Sequence, residues 1–176
     1  MTSTISHAIK HRTSAKDVFY TPTAVAQRHI KITSKYAKPD AVWFDAFRGR
    51  GVYFNNFPKN DKNDWCEITE NRDFFGCDVT PDVICSNPPY SCIDKVLQKS
   101  IELNPKVISY LLGHGALTPR RMKLMNDAGY SLKHLFITKV FQWYGMSECI
   151  VFVKEDTVLN QALVEYDRIV HRPDAV

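Results

Sequence analysis

Apolar and polar residues alternate along this chain in two periods, and the alternation predicts an order of strands and helices. Short apolar runs that end in polar residues indicate buried strands. The predicted strands are 41–44, 64–68, 82–86, 107–112, 132–140 and 149–153. Apolar positions spaced three and four apart indicate helices. The predicted helices are 22–36, 91–103, 119–128 and 157–170, with one helical turn over 52–57.

The order of these elements predicts the fold class. Strands that alternate with helices favour an α/β fold with a doubly wound, mostly parallel sheet. A loop joins the last two predicted strands, and this predicts one antiparallel strand at the edge of the sheet. Residues 1–18 are polar and contain His, Lys and Arg, so we expect a flexible basic arm. Residues 19–176 have the length of a single domain. Thr21 is the expected cap of the first helix.

Composition and charge narrow the class of protein only slightly. The 176 residues are 44% hydrophobic and 24% charged, which is ordinary for a globular protein. The net charge of +4 is compatible with a nucleic acid partner but does not require one. The N-terminus lacks the apolar segment of a signal peptide, and no apolar run reaches the roughly 18 residues that span a bilayer. We therefore expect an intracellular protein, cytoplasmic or nuclear, that is not secreted and has no membrane partner.

The five cysteines do not suggest a structural role. No pair has C-x-x-C spacing, so the pattern matches neither a disulfide framework nor a zinc site. Reduced thiols are expected instead, and no metal site is predicted.

The most distinctive motif follows the predicted strand 82–86. It reads Asn-Pro-Pro-Tyr, at Asn87, Pro88, Pro89 and Tyr90. Ligands of open α/β sheets bind at the carboxyl ends of strands, so the position suits an active site. The Asn amide oxygen can accept a hydrogen bond from an NH₂ group, the prolines stiffen the turn, and the Tyr ring can stack on a planar base. The structural alternative is a Pro-Pro turn without chemistry.

A glycine-rich turn follows the first predicted strand. Residues 45–51 read Asp-Ala-Phe-Arg-Gly-Arg-Gly, and glycine lets a backbone approach a ligand closely. Two such glycines are a weak signal alone, so a tight turn without a ligand is the alternative.

Together, the two motifs resemble those of S-adenosylmethionine-dependent amino-methyltransferases, chiefly the N6-adenine methyltransferases of DNA and RNA, in a small phage- or virus-like form. The resemblance covers most of residues 19–154. It implies a Rossmann-like methyltransferase fold and direct methyl transfer to an extruded base, with DNA favoured over RNA. It also implies that Asn87 and the Pro88 carbonyl bind the adenine N6, and that Tyr90 stacks on the base. The short spacing from Gly51 to Asn87 implies a trimmed sheet.

The resemblance also implies a site for S-adenosylmethionine. The cofactor loop would contribute Asp45, Phe47, Gly49 and Gly51, although its two arginines are unusual beside a cationic cofactor. A carboxylate at a strand end, here Glu67, can hold both ribose hydroxyls. A solvated Glu and a ligand-free turn are the alternatives.

Two further elements resemble parts of the family's cofactor site. Asp73 would bind the amino group of the cofactor's adenine, and Phe74 would pack on the ring. Tyr20, Thr21 and Pro22 would cover the methionine end. The alternatives are a capping Asp with core aromatics and a plain helix cap.

Candidate substrate contacts lie further along the chain. By the resemblance, Phe141 or Trp143 would give a second stacking residue, and a loop packed into the core is equally compatible. Arg120 and Arg121 could bind phosphates or could be ordinary solvated charges. The chain has almost no room for a target-recognition domain, so a homodimer or a partner subunit would supply recognition.

Two other functions stay open. Protein-glutamine N5 methyltransferases share the Asn-Pro-Pro-Tyr motif, and a glutamine amide would fit Asn87 as well as adenine does. A non-catalytic methyltransferase-like subunit that binds nucleic acid is the second alternative. Cytosine-C5 methylation is disfavoured, because the cysteine nucleophile that it needs is not present in its usual Pro-Cys context.

Overall fold

The computed structural model describes residues 20–140 and 145–167, which contain seven strands and three α-helices. The strands are Trp43–Asp45 (β1), Asp64–Trp65 (β2), Val83–Ser86 (β3), Val107–Gly113 (β4), Tyr130–Thr138 (β5), Ser147–Lys154 (β6) and Leu163–Asp167 (β7). The helices are Thr23–Ser34 (α1), Ile93–Leu103 (α2) and Pro119–Asp127 (α3). The predicted basic arm, residues 1–18, lies outside the described residues, as do Phe141 and Trp143.

The seven strands form one mixed sheet with the order β2-β1-β3-β4-β6-β5-β7. Strands β2, β1, β3 and β4 are parallel neighbours, and β6 runs antiparallel to both β4 and β5. Strand β7 pairs parallel to β5. The predicted α/β fold with a mostly parallel sheet and an antiparallel strand is confirmed. The antiparallel strand is β6, and β5 and β7 lie outside it.

The core has two layers because neighbouring strand residues point to opposite faces of the sheet. Trp43 and Val83 belong to the cluster that packs under α1. Phe44 and Ile84, one residue further along each strand, belong to the cluster that packs under α2 and α3. This alternation produces the doubly wound arrangement, with helices on both faces.

The beginning of α1 differs from the prediction. The residue at the N-cap position is Pro22, and no side chain caps the helix there. Thr21 was expected to be the cap. It lies one residue too early to cap the first turn, and its hydroxyl is engaged elsewhere, as described below.

The predicted C-terminal helix over 157–170 is wrong for the part that the structure describes. Residues Leu163–Asp167 form β7 at the edge of the sheet. Their backbone pairs with β5, and Glu165 lies 2.7 Å from the buried ring of His134. The apolar spacing suggested a helix, but Leu159, Leu163 and Tyr166 are exposed, so they form no core stripe. Pairing with the sheet outweighs a weak local pattern here.

Two general features of the chain complete the description. The five cysteines all lie within the described residues and are free thiols. None of the described helices has the length and apolar character needed to cross a membrane.

Candidate active site

A cavity of about 1050 Å³ opens at the carboxyl ends of β1 and β3. Ligand pockets of drug-sized molecules typically measure about 300–1,000 Å³, so this cavity can hold a molecule of that size. Eleven of the residues predicted to bind cofactor or to act in catalysis line it, namely Tyr20, Thr21, Pro22, Phe47, Gly49, Glu67, Asp73, Phe74, Asn87, Pro88 and Pro89. The structure therefore brings together segments that are far apart in the sequence.

Asn87 is held by the segment that leads into α1. Its Nδ2 donates a hydrogen bond to Thr21 Oγ1 at 3.0 Å, and the two residues are 66 positions apart. Thr21 is only 8% exposed. In this arrangement the amide nitrogen faces the hydroxyl, and the amide oxygen lies on the other side of the amide carbon. The interaction explains why Thr21 does not cap the helix.

A buried brace joins the glycine-rich turn to the strand that ends at Asn87. Ser86 Oγ donates to Asp45 Oδ1 at 2.6 Å and accepts the Phe47 N–H at 3.1 Å. Asp45 Oδ2 accepts the Phe54 N–H at 3.2 Å. Burial raises the pKa of Asp45 to about 7, against the opposing effect of these hydrogen bonds. Asp45 thus lies beneath the cavity rather than on its wall, and the part played by Ser86 was not predicted.

Backbone conformation explains the two glycines of this turn. Gly49 has φ of 51° and Gly51 has φ of 83°, in the left-handed region that side chains disfavour. A Cβ on Gly51 would also lie 3.0 Å from Nδ2 of Asn55. The turn therefore depends on glycine at both positions, although only Gly49 lines the cavity.

Glu67 ties the same turn to the segment after β2. Its Oε2 accepts the Gly49 N–H at 2.8 Å, and its Oε1 accepts the N–H and hydroxyl of Thr69 at 3.1 and 2.8 Å. Burial opposes ionisation, but the hydrogen bonds from Thr69 and Gly49 outweigh it and lower the pKa of Glu67. The side chain is therefore an ionised acceptor on the cavity wall.

The far end of the cavity carries apolar side chains that the sequence did not single out. Asp73 Oδ1 accepts the Phe75 N–H at 3.1 Å. Phe74 is 2% exposed and packs on Phe47 with ring centroids 5.0 Å apart. Its neighbour Phe75 is 41% exposed and Ile68 is 71% exposed, and both line the cavity. Exposed apolar groups in a cavity indicate a surface for an apolar ligand face.

Two of the cavity's arginines are held by internal partners. Arg48 lies 2.5 Å from Glu70 and Arg72 lies 2.6 Å from Asp64. Both guanidinium groups lie 4.2 Å from the centre of the Trp65 ring, so the indole is packed between two cations. Their charges are neutralised by carboxylates.

A polar network under α1 reaches the cavity wall. His29 Nδ1 lies 2.9 Å from the Tyr53 hydroxyl, and His29 Nε2 lies 2.7 Å from Ser109 Oγ on β4. Thr33 Oγ1 lies 2.8 Å from the same Ser109 oxygen. Burial lowers the pKa of His29 to about 3, so the ring is neutral. Tyr53 lines the cavity, and neither it nor His29 was singled out by the sequence.

Three further predicted residues, Tyr90, Arg120 and Arg121, do not line the cavity. Tyr90 is half-buried and packs against the core on the α2 side. Arg121 Nε donates to Asp94 at 2.8 Å and its side chain also bonds the Ala116 carbonyl at 2.8 Å, so its donors are partly used within the protein. Arg120, beside it on α3, is exposed.

The sheet order and the position of the cavity define the class of fold, which is the Rossmann-like methyltransferase fold. No family model matches the sequence, and no curated protein matches it. Solved structures do match in fold. PH1948 from Pyrococcus horikoshii, assigned as an RNA methyltransferase, has a TM-score of 0.60 at 16% identity, over 80% of this chain and 88% of that one.

Two other solved structures match in fold. The magnesium protoporphyrin IX methyltransferase of Synechocystis PCC 6803, crystallised with bound SAM, has a TM-score of 0.57 at 9% identity, over 76% of this chain and 79% of that one. The M protein of the type I restriction enzyme EcoKI has a TM-score of 0.61 at 12% identity. It is matched over 93% of this chain and 51% of its own, so this chain spans about half its length.

Proposed function

We propose that this protein is an S-adenosylmethionine-dependent methyltransferase that methylates the exocyclic N6 of adenine in nucleic acid, with DNA favoured over RNA. The observation that carries the proposal is the position of Asn87. It follows β3 on the wall of the cavity that the glycine-rich turn also lines, and Thr21 fixes its amide. The matched EcoKI M protein belongs to enzyme class EC 2.1.1.72, which supports the choice of substrate.

The residues of the cavity fit the proposed cofactor. A carboxylate offers about four lone-pair sites, and the three hydrogen bonds to Glu67 leave capacity for a ribose hydroxyl. Ile68 and Phe75 offer exposed apolar surface for an adenine ring, and Asp73 lies beside them for its amino group. The turn at Gly49 would receive the methionine end. The cofactor, when bound, supplies an electrophilic methyl group.

The Asn-Pro-Pro-Tyr motif would then prepare the amino group. The Asn87 amide oxygen and the Pro88 carbonyl would accept hydrogen bonds from the two N–H groups of the target amine. This would turn the nitrogen lone pair toward the methyl carbon of the cofactor. The cofactor would supply the methyl group, with its thioether as the leaving group, while Asn87 and the Pro88 carbonyl would hold the nitrogen, one of whose protons would pass to solvent. Pro89 stiffens the turn, and Tyr90 would stack on the extruded base.

A transfer assay tests this function. Purified protein and isotopically labelled S-adenosylmethionine are incubated with duplex DNA, single-stranded DNA or RNA, followed by mass spectrometry of the nucleosides. Labelled N6-methyladenine is expected, with the highest yield from DNA. Asn87→Ala is expected to abolish transfer and to keep its affinity for S-adenosylhomocysteine, because the amide contacts the target rather than the cofactor. Full transfer by Asn87→Ala would exclude the mechanism.

The same assay also tests the two alternative functions. A glutamine amide presents the same NH₂ group to Asn87, so a peptide with an exposed Gln is assayed in parallel, and label in it alone would assign protein-glutamine N5 methylation. Nucleic acid binding without transfer to any substrate would assign a non-catalytic subunit. Target recognition is proposed to come from a second copy or a partner subunit, and activity that rises with protein concentration would support this.

A further inference from the structure

Arg50 differs from the other two arginines of the cavity. It lies between Gly49 and Gly51, lines the cavity and is exposed to solvent. Arg48 and Arg72 each have a carboxylate within 2.6 Å. Within residues 20–140 and 145–167, no carboxylate lies within salt-bridge distance of Arg50. It is therefore a cavity cation whose charge the described protein does not neutralise.

The guanidinium group of Arg50 is nevertheless held in place. Its central carbon lies 4.0 Å from the centre of the Tyr20 ring, a cation–π contact that restrains the group. A guanidinium carries five N–H donors, and contact with one ring leaves donors for a ligand. The residue is thus positioned in advance to bind a planar or tetrahedral anion.

The contacts of Arg50 lead along the chain to Asn87. Its stacking partner Tyr20 precedes Thr21 in the chain, and Thr21 accepts the hydrogen bond from Asn87. Arg50 and Asn87 are therefore linked through two adjacent residues on the same wall of the cavity. The segments that carry Ile68 and Asp73, which we assign to the cofactor's adenine, come from after β2 instead.

We propose that Arg50 binds a backbone phosphate of the nucleic acid whose adenine reaches Asn87. The proposal rests on the proposed function, because it takes nucleic acid as the substrate. A guanidinium forms two parallel hydrogen bonds with a phosphate, and such contacts position a substrate without reading its sequence. The carboxylate of the cofactor's methionine end is the other anion that could reach this site, and the experiment separates the two.

The test compares Arg50→Gln with the wild type in binding to fluorescein-labelled DNA and RNA oligonucleotides, by fluorescence anisotropy over a series of salt concentrations. We expect a loss of affinity of about tenfold at low salt. The slope of log K against log salt is expected to fall by about one, because one phosphate contact is lost. Arg50→Lys keeps the charge, and we expect it to retain the slope with a smaller loss of affinity.

The matched control is Lys62→Gln, which removes one positive charge from an exposed site outside the cavity. Its affinity and slope are expected to equal those of the wild type. Equal losses in Lys62→Gln and Arg50→Gln would show only a general effect of net charge, and would overturn the proposal.

Binding of two small ligands separates the two anions. If Arg50 holds the cofactor carboxylate instead, Arg50→Gln weakens the binding of S-adenosylhomocysteine. The binding of methylthioadenosine, which lacks the amino acid group, is then unchanged. Unchanged oligonucleotide binding in that variant overturns the phosphate contact. A wild type that binds no oligonucleotide overturns it as well.

Failure of this inference is distinguishable from failure of the proposed function. If the wild type transfers no methyl group but Arg50→Gln still weakens oligonucleotide binding, the proposed function fails and the phosphate contact stands. If the wild type methylates adenine and Arg50→Gln binds as the wild type does, the proposed function stands and the phosphate contact fails.

Discussion

Thr21→Val removes the hydroxyl that accepts the hydrogen bond from the Asn87 amide. Valine has nearly the same shape as threonine, so the buried volume at this 8% exposed position is kept. The Asn87 Nδ2 group then loses its acceptor on Thr21 and the amide can rotate about its terminal bond, because this torsion has a broad energy profile. A fraction of molecules would present nitrogen, rather than oxygen, to the target amino group.

The size of the effect follows from the energy of one hydrogen bond. Loss of the acceptor of a partly buried donor costs up to about 1–3 kcal/mol. Each 1.36 kcal/mol in the activation free energy changes the rate tenfold, so kcat is expected to fall by about 5- to 150-fold. The affinity for S-adenosylhomocysteine is expected to stay within about twofold, because valine keeps the shape of threonine and the groups that we assign to the adenine and ribose lie on other segments.

The assay is initial-rate methyl transfer at saturating cofactor, together with calorimetric binding of S-adenosylhomocysteine. Thr21→Ser keeps the hydroxyl and serves as the matched control, with kcat close to that of the wild type. An unchanged kcat in Thr21→Val would refute the claim that this bond positions Asn87. Equal losses in the Val and Ser variants would show that the effect is not specific to the hydroxyl.

Three further outcomes are expected. Gly51→Ala should lower the free energy of unfolding by about 1–2 kcal/mol, because φ of 83° disfavours a side chain. The control Gly76→Ala should have little effect, because the space around its Cβ site is open. Equal urea midpoints for the two variants would contradict this prediction. Ile68→Ser should weaken the binding of S-adenosylhomocysteine several-fold, as measured by calorimetry. The melting temperature should not fall, since the side chain is 71% exposed. An unchanged affinity would exclude Ile68 from the cofactor site. The pKa of Asp45 is raised to about 7, so the stability that its protonated form contributes is present at low pH and is lost as the pH rises to about 7. The pKa of His29 is lowered to about 3, so the stability that its neutral form contributes is lost as the pH falls from 6.5 to about 3. Asp45→Asn should therefore lose stability more steeply than the wild type between about pH 6.5 and 4, and parallel unfolding profiles would count against these pKa values.

The sequence predicts the strands of the parallel half of the sheet well, because they are continuous apolar runs that end in polar residues. Asp45 and Asn87 mark the ends of two of these strands. Parallel neighbours end at the same edge of a sheet, so the loops that follow these two strands lie at one edge. The structure places residues of both loops on one cavity wall, although their roles stay predictions.

Other features could not be read from the sequence because they depend on tertiary contacts. The hydrogen bond from Asn87 to Thr21 joins residues 66 positions apart, and local propensity assigned that hydroxyl to a helix cap. Asp45 looked like a ligand because it follows a strand, but the brace with Ser86 lies under the surface. The segment of β7 had helical spacing, and only its pairing with β5 makes it a strand.

The buried histidine under α1 has a consequence for engineering this protein. Apolar packing between a helix and a sheet is non-directional and tolerates small sliding movements, whereas the bonds from His29 to Tyr53 and Ser109 hold only in one register. An aliphatic residue at position 29 alone would take a partner from the buried hydroxyl groups of Tyr53 and Ser109, which is destabilising, whereas replacing all the bonded groups by apolar ones of similar shape can be neutral or stabilising. Such a complete replacement would also remove the bonds that hold the helix, and Thr21 with it, in one position relative to Asn87. Selection for thermal stability alone could therefore yield a stable core in which this alignment is lost.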